Sequence, residues 1–87
     1  MPHQINIVYF AWVKERLGRD QETVAFPETI KTVEELVEHL RNIDVSYFDV
    51  FSDLKKLRFA LDHDFVGTDH LLASAKELAI FPPVTGG

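Results

Sequence analysis

No cysteine occurs among the 87 residues of this chain, which excludes disulfides, thiolate metal sites and thiol nucleophiles and leaves the redox compartment open. Any sulfur chemistry must therefore run through something other than a side-chain thiol. Glycine is scarce as well. Gly18, Gly67, Gly86 and Gly87 are the whole set, so no glycine-rich loop is available to cradle a phosphate. No stretch approaches the roughly 18 consecutive apolar residues of a membrane span. The opening MPHQINIVYFAWVKERLG is broken by Lys14, Glu15 and Arg16 and lacks the basic start and small-residue cleavage site of a leader. A cytoplasmic protein without membrane contact is expected. Nine bases stand against fourteen acids, for a net charge of -5, and the bases are scattered along the chain. Nucleic-acid binding needs a concentrated positive field and is disfavoured; an acidic domain instead suits a basic protein partner.

What is present is enough for one small core: 46% of the chain is hydrophobic and 11% of the chain is aromatic, in a length that holds a single domain. INIVYF is apolar apart from Asn6 and predicts an interior strand covered on both faces or nearly so. Alternation puts Ile5, Ile7 and Tyr9 on one side, Val8 and Phe10 on the other. AWVKERLG predicts a short helix stopped by Gly18, and ETVAF a second strand closed by Pro27, the two strands forming an antiparallel hairpin with a wide loop. In TVEELVEHLRNI, Thr32 and Glu35 form a capping box, and Val33, Leu36, Val37 and Leu40 recur at helical spacing. One amphipathic helix follows, with Glu34, Glu38 and Arg41 in water. From Asp44 to Lys56 two readings stand: a short helix capped by Ser46 with Asp49, Phe48 and Phe51 tucked against the sheet edge, or a packed connection. LRFAL, the DHD turn, the short FVG return and ELAIF complete the strands. The expected class is α+β, a mixed sheet curled around one main helix.

The residues that could carry chemistry are few. His63 between Asp62 and Asp64, and His70 after Asp69, form a dense set of ligand types, but Asp-rich turns are ordinary and the helical spacing of a zinc pair is missing, so no metal site is expected. His3 and His39 are expected to face solvent. Thr68, Asp69 and His70 are neighbours in sequence, which is not how a nucleophilic triad is assembled. The aromatics say more. Phe10, Phe65 and Phe81 lie on separate strand segments, and Phe81 alternates with Ala79 on the face away from Leu78 and Ile80. If the helix covers the Ile5, Ile7 and Ile80 face, Phe10 and Phe81 mark an uncovered apolar face suited to docking a protein, unless the 44–56 segment lies over it.

The ending AIFPPVTGG completes this picture. Residues 1–81 are expected to form the domain and residues 82–87 an extended tail. Pro82 and Pro83 fix φ and stiffen the exit, and Val84, Thr85, Gly86 and Gly87 extend roughly 13 to 14 Å further. Glycine at the last two positions strips side chains from around the carboxylate, the one distinctive group there, so the tail can be threaded into a narrow channel. A carboxylate is a poor electrophile and needs activation, ordinarily as an acyl adenylate made with ATP by another protein. A frayed end is the plain alternative.

FPPVTGG, INIVYFAWVKERLG and TVEELVEHL together resemble the molybdopterin synthase sulfur carrier subunits, ubiquitin-like β-grasp proteins. The match is most specific from Pro82 through Gly87 and at Phe10-Ala11 followed by Val13-Lys14-Glu15; Leu61-Asp62 departs from the usual Val-Asn before the turn. The resemblance implies a flexible Gly-Gly tail and a cycle at Gly87. A ubiquitin-activating-enzyme-like adenylyltransferase would convert its carboxylate to a glycyl adenylate, using ATP, and a sulfur donor protein would displace AMP to leave a thiocarboxylate. The large catalytic subunit, in a heterotetramer, would then receive the tail, and sulfur would pass to cyclic pyranopterin monophosphate. On this reading the chain binds no cofactor, the catalytic groups belong to the large subunit, and Phe10, Phe65 and Phe81 dock on the partners. A carrier of the thiamine or ubiquitin-related modifier type, and a β-grasp binding module with an inert tail, are the competing readings.

Overall fold

A computed structural model describes residues 3–83. The strand β1 (His3–Tyr9) pairs antiparallel with β2 (Gln21–Phe26), and α1 (Ala11–Leu17) fills the wide connection between them. Gly18 stops α1 in the left-handed region at φ 72°, its N–H donating to the Lys14 carbonyl at 2.9 Å; glycine takes this conformation without the penalty a Cβ imposes. At the other end of α1, Ala11 has φ 54°, a conformation that costs an L-residue about 1–2 kcal/mol.

The main helix, α2 (Val33–Arg41), begins at the capping box: Glu35 N–H donates to the Thr32 hydroxyl and the Thr32 N–H to the Glu35 carboxylate. Two of the donors that any helix start leaves unpaired are thereby satisfied. Val33, Leu36, Val37 and Leu40 are fully buried, and Glu34 and Glu38 are exposed. Arg41 and His39 are only half-buried rather than in water. The Arg41 guanidinium lies 4.8 Å from the centre of the Phe48 ring and also reaches Glu38 at 3.0 Å, which covers its apolar stem.

Of the two readings for residues 44–56, the helical one holds, with a different cap and a different buried face. α3 (Val45–Val50) is capped by Asp44, whose carboxylate accepts the Ser46 N–H at 2.9 Å. Tyr47, Val50 and Phe51 turn inward and Phe48 stays exposed, because the helical period carries 47, 50 and 51 to one side. A 3-10 turn (Leu54–Lys56) leads into β3 (Arg58–Leu61), which pairs antiparallel with β4 (Asp64–Val66). Asp62 and His63 both have positive φ, 46° and 76°, the backbone of a tight hairpin turn whose twist matches the strands. The Asp62 carboxylate accepts the N–H groups of Lys76 and Glu77, each at 3.0 Å. Aspartate thus serves this turn and ties it to the start of β5 (Glu77–Phe81).

The sheet order is β2-β1-β5-β3-β4. β5 lies between β1, to which it is parallel, and β3, to which it is antiparallel. This is the mixed sheet of the α+β expectation. One face, bearing Ile5, Ile7, Tyr9, Phe59, Leu78 and Ile80, packs on the helices and is buried. β1 is interior by pairing, but it is covered on one face only: Asn6 and Val8 on the other remain half-buried. α3 packs against α1 and α2, on the helical side, and so leaves the opposite sheet face open.

At the edge of the core, Glu22 of β2 binds three elements together. Its carboxylate accepts the hydroxyl protons of Tyr9 and Tyr47, both at 2.6 Å, and the Arg19 guanidinium at 2.9 Å; Arg19 also donates to the Tyr47 oxygen at 3.0 Å. Burial would raise the Glu22 pKa, but the hydrogen bonds from Tyr47, Tyr9 and Arg19 outweigh it and hold the carboxyl below its ordinary value. Burial first, and then the bond to Glu22, push Tyr47 up to about 12. A carboxyl depressed in the folded state adds stability above its unfolded pKa and loses it as pH falls through the folded one. Urea unfolding carried from neutral pH down through the ordinary glutamate value of 4.5 should therefore show falling stability. Glu22→Gln should cost about 1–2 kcal/mol at neutral pH and flatten that acid limb, leaving the part due to Glu35 and Asp44, whose carboxyls the backbone N–H bonds of Lys31 and of Ser46 also depress.

Candidate functional site

The open sheet face takes its character from alternation and register. Tyr9 pairs with Ile80 across the parallel β1–β5 ladder, so Phe10, one residue beyond, comes beside Phe81. Ala60 pairs with both Phe65 and Ala79, which puts β4's aromatic over small neighbours. Phe10, Phe65 and Phe81 are brought together as one cluster: the Phe10 and Phe81 rings meet edge to face at 6.4 Å, and Phe65 and Phe81 are tilted against each other at 5.8 Å. Such contacts are worth about 0.5–1.5 kcal/mol each beyond area, yet they leave Phe65 83% and Phe10 49% exposed.

The three rings stand around a hollow of ≈ 580 Å³ whose remaining lining is Ala11, Ala79, Pro82 and Pro83. None of these side chains is ionisable. The hollow can offer apolar contact and shape, and it has no group of its own for proton transfer or nucleophilic attack. Helices α1 to α3 do not cover it, since they pack on the other face. Large apolar side chains held in water around a concave floor mark a contact surface.

The last described residues lie in this surface. β5 ends at Phe81, and Pro82 and Pro83, half-buried, line the hollow themselves. Val84, Thr85, Gly86 and Gly87, the remaining residues of the expected tail, lie outside the described residues.

The other candidates do not converge. His3, His63 and His70 are exposed. His3 stacks on Phe26 at 5.7 Å, His63 lies 3.8 Å from Glu77, and the His70 ring bonds the Leu71 carbonyl at 2.8 Å. Among the described residues no group of three or more His, Cys, Asp or Glu side chains could share a metal ion, and no helix is long and apolar enough to cross a membrane.

Two contributors escape sequence reading. Ala11 lines the hollow from a left-handed backbone, and alanine carries no signal for that conformation. Ala79 is marked by its alternation with Phe81, but its role as floor depends on the strands either side.

Residues 7–87 match the ThiS family. The chain is 39% identical to the molybdopterin synthase sulfur carrier subunit of Escherichia coli (strain K12), over 95% of this chain and 99% of that protein. It is 33% identical to the protein of the same name from Dictyostelium discoideum, over the whole of both. Among solved structures it is similar to a putative molybdopterin converting factor, subunit 1, from Pyrococcus furiosus (TM-score 0.74, 22% identity, 93% of this chain and 98% of that one). It is also similar to SAMP1 from Haloferax volcanii (TM-score 0.76, 21% identity, 98% and 100%). At these TM-scores the mixed five-stranded sheet with its helices shares their fold, and the chain belongs to the ThiS family of ubiquitin-like β-grasp proteins.

Proposed function

We propose that this chain is the sulfur carrier subunit of a molybdopterin synthase. The observation that carries the reading is positional: the strand that ends in Phe81 delivers the C-terminal residues from the middle of an uncovered apolar face, in a chain 39% identical to a protein of that name along its length. Docking that face on a partner sets the direction in which Pro82 and Pro83 send the tail, and their fixed φ limits the entropy lost when it is threaded.

The reaction cycle acts on Gly87. Its carboxylate oxygen attacks the α-phosphorus of ATP on a ubiquitin-activating-enzyme-like adenylyltransferase, releasing pyrophosphate and forming the glycyl adenylate. A donor protein releases sulfur at the hydrosulfide level; that sulfur attacks the carbonyl carbon, the acyl–phosphate bond breaks, AMP leaves, and with loss of the proton a thiocarboxylate remains. The large catalytic subunit, paired with this one in a heterotetramer, receives the tail and supplies the catalytic groups while sulfur passes to cyclic pyranopterin monophosphate. Two transfers build the dithiolene of molybdopterin. Sulfur rides on the C-terminus, which accords with a chain that has no cysteine. The carrier holds no cofactor of its own, and its ATP-dependent charging belongs in the cytoplasm.

Intact-protein mass spectrometry after incubation with ATP, a sulfur source and the adenylyltransferase tests this directly. A mass increase equal to one oxygen exchanged for one sulfur, lost on deleting Gly87, is the expected result; no increase under conditions that charge a known carrier would reject the cycle. The charged chain should then form molybdopterin with the large subunit.

The docking role separates from stability. Phe65→Ser removes an exposed side chain and its one ring contact with Phe81 and should cost no more than about 0.5–1.5 kcal/mol of stability, while weakening binding to the large subunit at least tenfold, an effect of the size seen at interface anchors. Leu78→Ala, at a fully buried position of β5, should cost about 2–5 kcal/mol. Calorimetry of folding and of binding on the same two variants checks both halves.

A further inference from the structure

We infer that Arg58 is a fixed cationic contact at the edge of the docking face, and that the large subunit meets it with an aspartate or glutamate carboxylate; the inference rests on the sulfur-carrier reading. Arg58 opens β3 directly opposite Phe81, and antiparallel partners hold their side chains on the same face about 4.5–5.5 Å apart. A second hollow of ≈ 400 Å³ is lined by Arg58 together with Phe65, Phe81 and Pro83. The last three also line the first hollow, so the apolar surface runs on continuously to the guanidinium.

The charge there is unanswered. Arg19 and Arg41 face the carboxylates of Glu22 and Glu38, whereas Arg58 donates from one terminal nitrogen to two backbone carbonyls, Lys55 at 3.1 Å and Leu57 at 2.9 Å. Among the described residues it forms no ion pair. A guanidinium has five N–H donors, and those on its other two nitrogens are left for an incoming group. The two carbonyl bonds hold the side chain in place before binding, which reduces the entropy lost on contact. Lys55 and Lys56 precede it, both exposed, so three cations in four residues lead into the strand that faces Phe81 although the chain as a whole carries a charge of -5.

A partner that closes over Phe65, Phe81 and Pro83 must also strip water from Arg58. Removing water from a charge without supplying an opposite one is strongly unfavourable, and the adjacent lysines make an anionic acceptor better matched than a neutral one. A carboxylate at that place on the large subunit would speed association and fix the docked orientation. This revises the expectation of a basic partner: the overall acidity of the chain does not extend to the surface from which the tail emerges.

The test titrates the large subunit with the uncharged full-length carrier in four forms, wild type, Arg58→Lys, Arg58→Gln and Arg58→Glu, at low and at raised ionic strength. At low ionic strength Arg58→Gln should bind about 3–10-fold more weakly and Arg58→Glu more weakly still, mostly through slower association. Arg58→Lys should recover most of the loss, and the differences should shrink as salt is added. Unchanged melting temperatures would confirm that the variants are folded. Arg58→Glu binding like the wild type, or a loss that salt does not reduce, would overturn the carboxylate partner. Phe65→Ser in the same titration distinguishes the two failures. If it weakens binding and Arg58→Glu does not, this inference alone falls; if the wild type fails to bind, the carrier reading falls and takes the inference with it.

Discussion

The parallel ladder between β1 and β5 joins the two segments on which every other feature of the surface depends. Ile7 faces Leu78 and Tyr9 faces Ile80, and all four are buried with at most 1% exposure. Burial of side chains this size contributes about 1.5–3 kcal/mol each, so register at the centre of the sheet is strongly held. A slip by one residue would exchange the two faces, sending Leu78 and Ile80 into water and the half-buried Phe81 into the core. Because the register is held, Phe10 and Phe81 come side by side and the chain exits between them.

That division of the sheet explains how a small domain keeps large aromatics in solvent. All three α-helices pack on one face, where α2 supplies four fully buried side chains and α3 adds Tyr47, Val50 and Phe51. The Glu22 cluster holds α3 to β2 and β1 through two tyrosine hydroxyls and Arg19. Stability thus resides on the helical side, and the opposite face is free to carry side chains chosen for contact. The left-handed Ala11 belongs to that second set: it costs folding energy, and it ends the strand directly after Phe10 at the border of the hollow.

Charge follows the same division only in part. Acidic side chains accept backbone N–H groups at the starts of α2 and α3 and at the Asp62 turn, so their placement answers to local structure. The hollow itself has no ionisable lining, and the adjoining hollow brings in Arg58, the last of the short basic run Lys55, Lys56 and Arg58. Net charge therefore describes the long-range field of this molecule and says little about the local character of the uncovered sheet face.

Local physics made much of this legible from the residues alone. The capping box at Thr32 and Glu35, the helical spacing of Val33, Leu36, Val37 and Leu40, the stop at Gly18 and the alternation along β1 and β5 are all settled within a few residues of themselves, and each appears in the structure as read. Short range also explains the errors: Ser46 and Asp44 are both good caps two residues apart, and only packing against α1 and α2 selected Asp44 and turned Phe51 inward and Phe48 out. Phe10 and Phe81 could be placed on one face by alternation, and Phe65 was joined to them by the family resemblance, but the meeting of all three around a single hollow required β4 to fold back beside Ala60 and β5 to enter between β1 and β3. The same pairings set Arg58 opposite Phe81. The sequence by itself determined the elements, the two faces of each strand and the chemistry available at the C-terminus. Which strands became neighbours, and hence which side chains surround the tail root, was decided by the tertiary structure, because strand order minimises exposure of the whole core and no single segment contains that information.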